Sequence, residues 1–256
     1  MAPTDYIPLR QVGGHKRGTN SMKRLLIIFS LFLATSLQAK ESILVVDIRN
    51  EKIVVEQNST ELRALASITK LMTAIVALEL GISDRYLIDT MLVQSNNKSA
   101  EDIASKYGRR EFIQMMNFQA RQLGMSNTKF IDPSGLGMNI STAEDVAILV
   151  AYSMKYSEIR DAAYPTVHTI IPKGKRAHYV TLHNTNSSLL KEFTHITVSK
   201  TGYTSAAGWC VAMTTSEHII VVLGSRSKAA RNALAKKLIQ DHTTQTRPIR
   251  NDLAFL

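Results

Sequence analysis

Cysteine is almost absent from this chain: Cys210 is the single example in 256 residues. One thiol can form no intramolecular disulfide and no paired-cysteine ligand set, so a disulfide scaffold and a zinc ribbon are both excluded. Set in the apolar run Trp209-Cys-Val-Ala-Met213, it reads as a buried strand residue. The seven histidines include no HExxH spacing, and nothing in the pattern requires a metal or another cofactor. Aromatic residues make up 6% of the chain and nowhere interleave with a basic run, which argues against nucleic acid as a partner. Long apolar runs are also missing, apart from Leu25-Leu-Ile-Ile-Phe-Ser-Leu-Phe-Leu-Ala-Thr35.

That run follows Lys23-Arg24 and precedes the polar Gln38-Ala39-Lys40-Glu41. It is short for a spanning helix and resembles a bacterial signal peptide. Met22 reads as the true start, behind an odd polar stretch of 21 residues, and the mature chain is expected to begin between residues 37 and 40. Residues 1–39 are therefore an expected N-terminal extension and signal, and membrane contact is expected only through that segment before cleavage. Beyond residue 39 the chain holds 26 Lys and Arg against 20 Asp and Glu, a balance of +6. This suits solubility or contact with an anionic envelope polymer.

What is present is 45% hydrophobic residues, enough for a substantial core. Residues 43–48 and 52–56 are strand-like runs around Arg49-Asn50-Glu51, which reads as a hairpin. From Ser67 to Leu80 the apolar positions cover most of a helical circumference, predicting a central buried helix ended by Gly81. Helices are also expected near 99–107 and 110–123, a loop at 124–140, and a helix to about Lys155 opened by a capping box, Ser141-Thr-Ala-Glu144. Residues 156–163 read as a short helix, and 167–171 with 177–182 flank a basic tip, Pro172-Lys-Gly-Lys-Arg176. The last quarter reads as three antiparallel strands, 196–201, 208–214 and 219–223, then a helix over 227–240 and a loose tail, 241–256. Strands at both ends with helices between predict an α+β fold, in which one antiparallel sheet joins the termini and a helical lobe of about 82–165 is inserted in a domain of residues 40–240.

Three short motifs carry chemistry. Ser67-Ile-Thr-Lys70 puts a hydroxyl and an amine on one helical face, one turn apart. If burial lowers the lysine's pKa, the amine can take the hydroxyl proton. Ser–x–x–Lys spacing alone is weak, because it recurs at Ser95, Ser126, Ser188 and Ser225. Ser67 is distinguished by opening an apolar helix, whose end leaves backbone N–H groups for an incoming anion. Ser95-Asn-Asn97 can present a hydroxyl and an amide from one tight loop. Lys200-Thr201-Gly202 offers charge and a hydroxyl from a strand, with a glycine that permits close backbone approach of a ligand. Together the three read as a serine acyl-transfer site.

The trio resembles the active-site set of the penicillin-recognising serine enzymes. Longer phrases, Ala64-Leu-Ala-Ser-Ile-Thr-Lys-Leu-Met-Thr-Ala74, Leu123-Gly-Met-Ser-Asn-Thr-Lys-Phe130, Asp132-Pro-Ser-Gly-Leu136 and Ser199-Lys-Thr-Gly-Tyr-Thr-Ser-Ala-Ala-Gly208, resemble the low-molecular-mass D-alanyl-D-alanine carboxypeptidase and endopeptidase family over roughly residues 42–240. The resemblance implies a serine β-lactamase/DD-peptidase-like fold, a periplasmic location and an acyl-enzyme on Ser67 with Lys70 as its base. It further implies Ser95 and Lys200 in the proton and electrostatic network, Asn97, Thr201 and Gly202 at the substrate, and the Ser67 and Tyr203 N–H groups at the oxyanion. Peptidoglycan muropeptides would be substrates and β-lactams covalent inhibitors. Asn96 stands where the family often has an acid, and only about 16 residues follow Gln240, which suggests the compact endopeptidase branch that cuts D-alanyl-diaminopimelyl crosslinks. A carboxypeptidase, a β-lactamase and a non-catalytic wall-binding protein remain as alternatives.

Overall fold

The computed structural model describes residues 41–171 and 179–242. The expected export segment, the basic tip at 172–176 and the tail from 243 lie outside the described residues.

The sheet begins with a hairpin, β1 (Ser42–Asp47) and β2 (Lys52–Gln57), and is completed by β7 (Val198–Thr204), β8 (Gly208–Thr214) and β9 (His218–Ser225). Its order is β2-β1-β9-β8-β7, and every pairing is antiparallel. Strand β1 pairs with β9 over Ser42↔Leu223 to Asp47↔His218, so the two ends of the chain share one sheet. The two-residue period of a strand then sorts side chains between two cores. Leu44, Cys210, Ala212, Ile219, Val221 and Leu223 face the helical region. Ile43, Val45, Val211, Met213, Ile220 and Val222 face the other side, beneath Leu189, Leu190, Ala235, Leu238 and Ile239. Burial on both faces explains why β8 and β9 read as nearly continuous apolar runs.

Helices fill the middle of the chain: α1 (Lys70–Glu79), α2 (Arg85–Val93), α3 (Asn97–Tyr107), α4 (Arg109–Gln122), α5 (Ala143–Ser153) and α6 (Ser157–Ala163). Short strands β3 (Arg63–Ala64) and β4 (Ile140–Ser141) pair, β5 (Val167–Ile170) pairs with β6 (Val180–His183), and α7 (Ser187–Glu192) and α8 (Lys228–His242) cover the second core. In α1, every residue from Lys70 to Ala77 is buried, as its all-round apolar sequence requires.

Three expectations need correction. The segment opened by Ser67 is not α-helical from the start: Ala66–Thr69 form a 3-10 turn, and the α-helix begins at Lys70. The capping box does not form, because Ser141 is drawn into β4 and Glu144 bonds Ser59; Thr142 caps α5 alone by accepting from Asp145 N. Helix α2, which leads into Ser95, was not expected; its start signal is Asp84, whose carboxylate accepts from Leu87 N.

The loop 131–139 lies against the Ala66–Thr69 turn. Gly135 has φ +85, and a Cβ there would sit 1.9 Å from the Ala66 carbonyl oxygen. Gly81, which ends α1 at φ +75, has nothing within 4 Å of such a Cβ. Gly81→Ala should therefore cost only the left-handed backbone strain of about 1–2 kcal/mol. Gly135→Ala should cost several times more and lower the denaturation midpoint accordingly, since backbone must move. Thermal or urea unfolding of the two variants checks this, and equal losses would contradict the packing of that loop on the turn.

Candidate active site

A 3-10 turn, a tight loop after α2 and the edge strand β7 converge on one cavity of about 280 Å³, lined by Ser67, Ser95, Thr201, Gly202, Tyr203 and Arg231 among others, and the loop 131–139 reaches Lys70 beside it through the Ser134 carbonyl. The turn enters through Ala66 at φ 45, and Ser95 itself sits at φ 62. Non-glycine residues held there cost of order 1–3 kcal/mol each and persist only where the surroundings over-determine them. The constraint on the turn is visible. Leu65 N donates to Asn139 O at 3.0 Å, and the Asn139 amide donates to Thr69 Oγ1 at 2.9 Å.

Lys70 Nζ lies 2.8 Å from Ser67 Oγ, 2.7 Å from Asn97 Oδ1 and 2.5 Å from the Ser134 carbonyl oxygen. Burial lowers this amine to about 7, against smaller upward pulls from Asp132 and Glu101. A neutral amine has two N–H bonds and one lone pair. An amide oxygen and a backbone carbonyl can only accept, so they take both N–H bonds, and the lone pair is left facing the Ser67 hydroxyl. The arrangement can remove a proton from Ser67.

Lys200 is 1% exposed, and its Nζ donates to Ser95 Oγ and to the Thr201 carbonyl, each at 3.0 Å. Burial, then the charges of Lys70 and Arg231, push it well below the usual lysine value. Thr201 Oγ1 donates to Thr185 Oγ1 at 2.8 Å. Tyr203 stacks on Trp209 with ring centroids 4.3 Å apart, and both line the cavity.

All the residues singled out from sequence come together here, with two adjustments of reading. Gly202 makes room for the protein's own backbone: a Cβ there would stand 2.9 Å from Ser67 N, so β7 and the Ser67 turn press together at residues 202 and 67. Asn97 is joined to Lys70 through its amide oxygen, while Asn96 caps α3 by accepting from Ser99 N. An asparagine serves that cap as well as an acid would. Of the competing serine–lysine spacings, the Ser95–Lys98 pair is disqualified because Lys98 is exposed and bridged to Asp102.

Three contributors were not expected. Ser134 acts through its carbonyl, which no side-chain pattern announces. Thr185 follows β6. Arg231 of α8 is 1% exposed, and burial lowers it to about 10; its guanidinium bonds Asn232 and the Cys210 carbonyl rather than an acid. Its signal in the sequence was an arginine among alanines on an amphipathic helix. Among the described residues no cluster of three or more His, Cys, Asp and Glu could hold a metal ion.

Known proteins match this picture. The peptidase S11 family model, D-alanyl-D-alanine carboxypeptidase, matches residues 33–85 and 78–227. A D-alanyl-D-alanine endopeptidase of Escherichia coli is 30% identical, over 69% of this chain and 67% of its own. One of Haemophilus influenzae is 30% identical over 83% and 85%. Among solved structures, Penicillin-Binding Protein D2 of Listeria monocytogenes, in its cefotaxime-bound form, superposes with a TM-score of 0.69 at 26% identity, over 78% of this chain and 95% of its own. A serine-to-alanine mutant of the Streptomyces K15 DD-transpeptidase, at 24% identity and a TM-score of 0.72 over the same shares, shows the same fold. With its α+β sheet drawn from both chain ends and its serine–lysine site, the chain belongs to the D-alanyl-D-alanine carboxypeptidase family of serine peptidases.

Proposed function

We propose that this serine DD-peptidase cleaves D-alanyl crosslinks of peptidoglycan, as an endopeptidase working through an acyl-enzyme on Ser67. The observation that carries the acylation step is the triple contact of Lys70 Nζ, which leaves its lone pair on Ser67 Oγ. Ser67 Oγ attacks the D-alanyl carbonyl carbon while its proton passes to Lys70. The developing oxyanion is received by the Ser67 and Tyr203 N–H groups, whose backbones lie side by side at Gly202. Ser95, bonded to Lys200, gives its proton to the departing amine and takes in turn the one that Lys70 removed from Ser67, so both groups return to their starting state. Thr201 seats the carboxylate of the leaving group, with the buried Arg231 as the counter-charge on the cavity wall. Water then hydrolyses the ester, freeing Ser67.

Endopeptidase action is favoured by the names of the E. coli, H. influenzae and Pseudomonas aeruginosa relatives, each 30% identical. The forms of Penicillin-Binding Protein D2 with cefotaxime and ampicillin support β-lactams as acylating inhibitors here. No carboxylate is among the described residues lining the cavity, so a penicilloyl ester on Ser67 has no carboxylate base among them and should turn over slowly. We place the protein in the periplasm on the strength of the signal-like segment Leu25-Leu-Ile-Ile-Phe-Ser-Leu-Phe-Leu-Ala-Thr35.

A fluorescent penicillin should label the wild-type protein with one adduct, detected by intact mass, and Ser67→Ala should abolish it; equal labelling of that variant would remove Ser67 as nucleophile. The acylation rate should climb as pH rises through about 7, because Lys70 must lose its proton first. A rate that stays flat from pH 5 to 9 would contradict the base assigned to Lys70. Incubation with purified muropeptides should convert crosslinked dimers to monomers. Release of terminal D-alanine without loss of dimers, read by mass, would instead make the protein a carboxypeptidase.

A further inference from the structure

Asp132 is buried, yet no cation is within ion-pair distance of it among the described residues; four donors from its own loop saturate it. Oδ1 accepts from Ser134 N at 2.8 Å, Ser134 Oγ at 2.7 Å and Gly135 N at 2.6 Å, and Oδ2 accepts from Gly137 N at 2.8 Å. The Gly135 N–H and the Ser134 C=O belong to one peptide unit. A trans peptide is planar, with its C=O and N–H pointing in opposite directions. Anchoring the N–H on Asp132 therefore aims the carbonyl the other way, and it meets Lys70 Nζ at 2.5 Å. Only glycine suits the following residue, which sits at φ +85 with its α-carbon against the Ala66 carbonyl.

The rest of the loop is tied down independently of this carboxylate. Thr73 Oγ1 donates to Pro133 O at 2.6 Å, and the Asn139 amide donates to Asp132 O at 2.9 Å. Those bonds fix where the loop lies on α1. They leave the plane of the 134–135 peptide to Asp132.

We propose that Asp132 is a positioning residue for Lys70: through the 134–135 peptide it holds one carbonyl on the amine, so that the nitrogen lone pair stays directed at Ser67 Oγ. The proposal rests on the role given to Lys70 above and adds a residue that touches neither substrate nor nucleophile. The carboxylate also strengthens the carbonyl it aims, because a negative charge at the N–H end polarises the peptide toward its oxygen. Hydrogen bonds from Ser134, Gly135 and Gly137 outweigh the upward pull of burial and keep Asp132 ionised below the usual carboxylate range. The other charged groups acting at this corner are Glu101 on Lys70, Lys200 across the cavity, and Arg109, which is paired with Glu101 at 2.7 Å.

Two substitutions separate position from charge. Asp132→Ala frees the 134–135 peptide, and the acylation rate by a fluorescent penicillin on the alkaline plateau should fall about tenfold or more, as expected for a misdirected base. Asp132→Asn keeps an amide oxygen for the Ser134 and Gly135 donors and removes the charge, at the loss of the Gly137 N–H bond to Oδ2. Its plateau should stay within a few-fold of wild type, while its acid limb moves to lower pH, since the lost anion had favoured protonated Lys70. Circular dichroism and thermal unfolding accompany both variants. A folded Asp132→Ala protein with a wild-type plateau overturns the proposal, and so does an unmoved acid limb in Asp132→Asn if the alanine variant fails to fold. A wild-type protein that forms no Ser67-dependent adduct would sink the assigned reaction itself, a result distinct from unaltered variants of an active enzyme.

Discussion

Two lysine amines, Lys70 and Lys200, are taken almost wholly out of water with no acid bonded to either one. An ammonium group placed so pays a large desolvation penalty, and the protein meets it by favouring the neutral amine. Everything around the cavity follows from that constraint. The amines need neutral acceptors, which are supplied by the Asn97 amide and the Ser134 carbonyl for Lys70 and by the Ser95 hydroxyl and the Thr201 carbonyl for Lys200. They need a dry surrounding, which α1 supplies by being buried from Lys70 to Ala77. Burial comes first for Lys200 too, and the charge of Lys70 adds to it in disfavouring the Lys200 ammonium.

Neutral amines must then be aimed, and aiming is done by backbone rather than by further side chains. The turn at Ser67, the loop at 131–139 and strand β7 are pressed close enough that Gly135 and Gly202 admit no Cβ without displacing main chain. Ala66 and Ser95 accept unfavourable φ values in the same region. Strain of this kind is concentrated where function needs one geometry and is sustained by the stable sheet and helices around it. The sheet contributes by its topology. Because β7 is the edge strand, one side of it is open to the turn and to substrate, while β8 and β9 anchor the other side in two cores.

Among the described residues the cavity lining carries two cations and no acid, which suits a substrate that carries a carboxylate beside the bond to be cut. Arg231 and Lys228 come from α8, an element that belongs to the second core and otherwise has no part in the acyl chemistry. A helix used for packing thus also supplies two cations to the cavity lining, and the stacked Tyr203 and Trp209 add an aromatic part to the same lining.

Much of this was legible from sequence. Continuous apolar runs at 43–46 and 210–213 specified strands buried on both faces, the all-round apolar helix after Lys70 specified a buried one, and Ser67, Lys70, Ser95, Asn97, Lys200 and Thr201 were named by type and spacing. These are local properties, since periodicity and the chemistry of a side chain travel with the residue. The places of Ser134, Gly202, Thr185 and Arg231 beside the cavity and its lysines emerged only from the fold. A backbone carbonyl has no sequence signature, a glycine does not announce which neighbour it admits, and a lone arginine on a helix looks solvated until a cavity opens beside it. The chain's own residues determined which groups were available for acyl transfer. Tertiary structure decided which of them touch, because contacts such as Lys70–Ser134 and Ser95–Lys200 join segments 64 and 105 residues apart, at distances that depend on how strands, turn and loop pack.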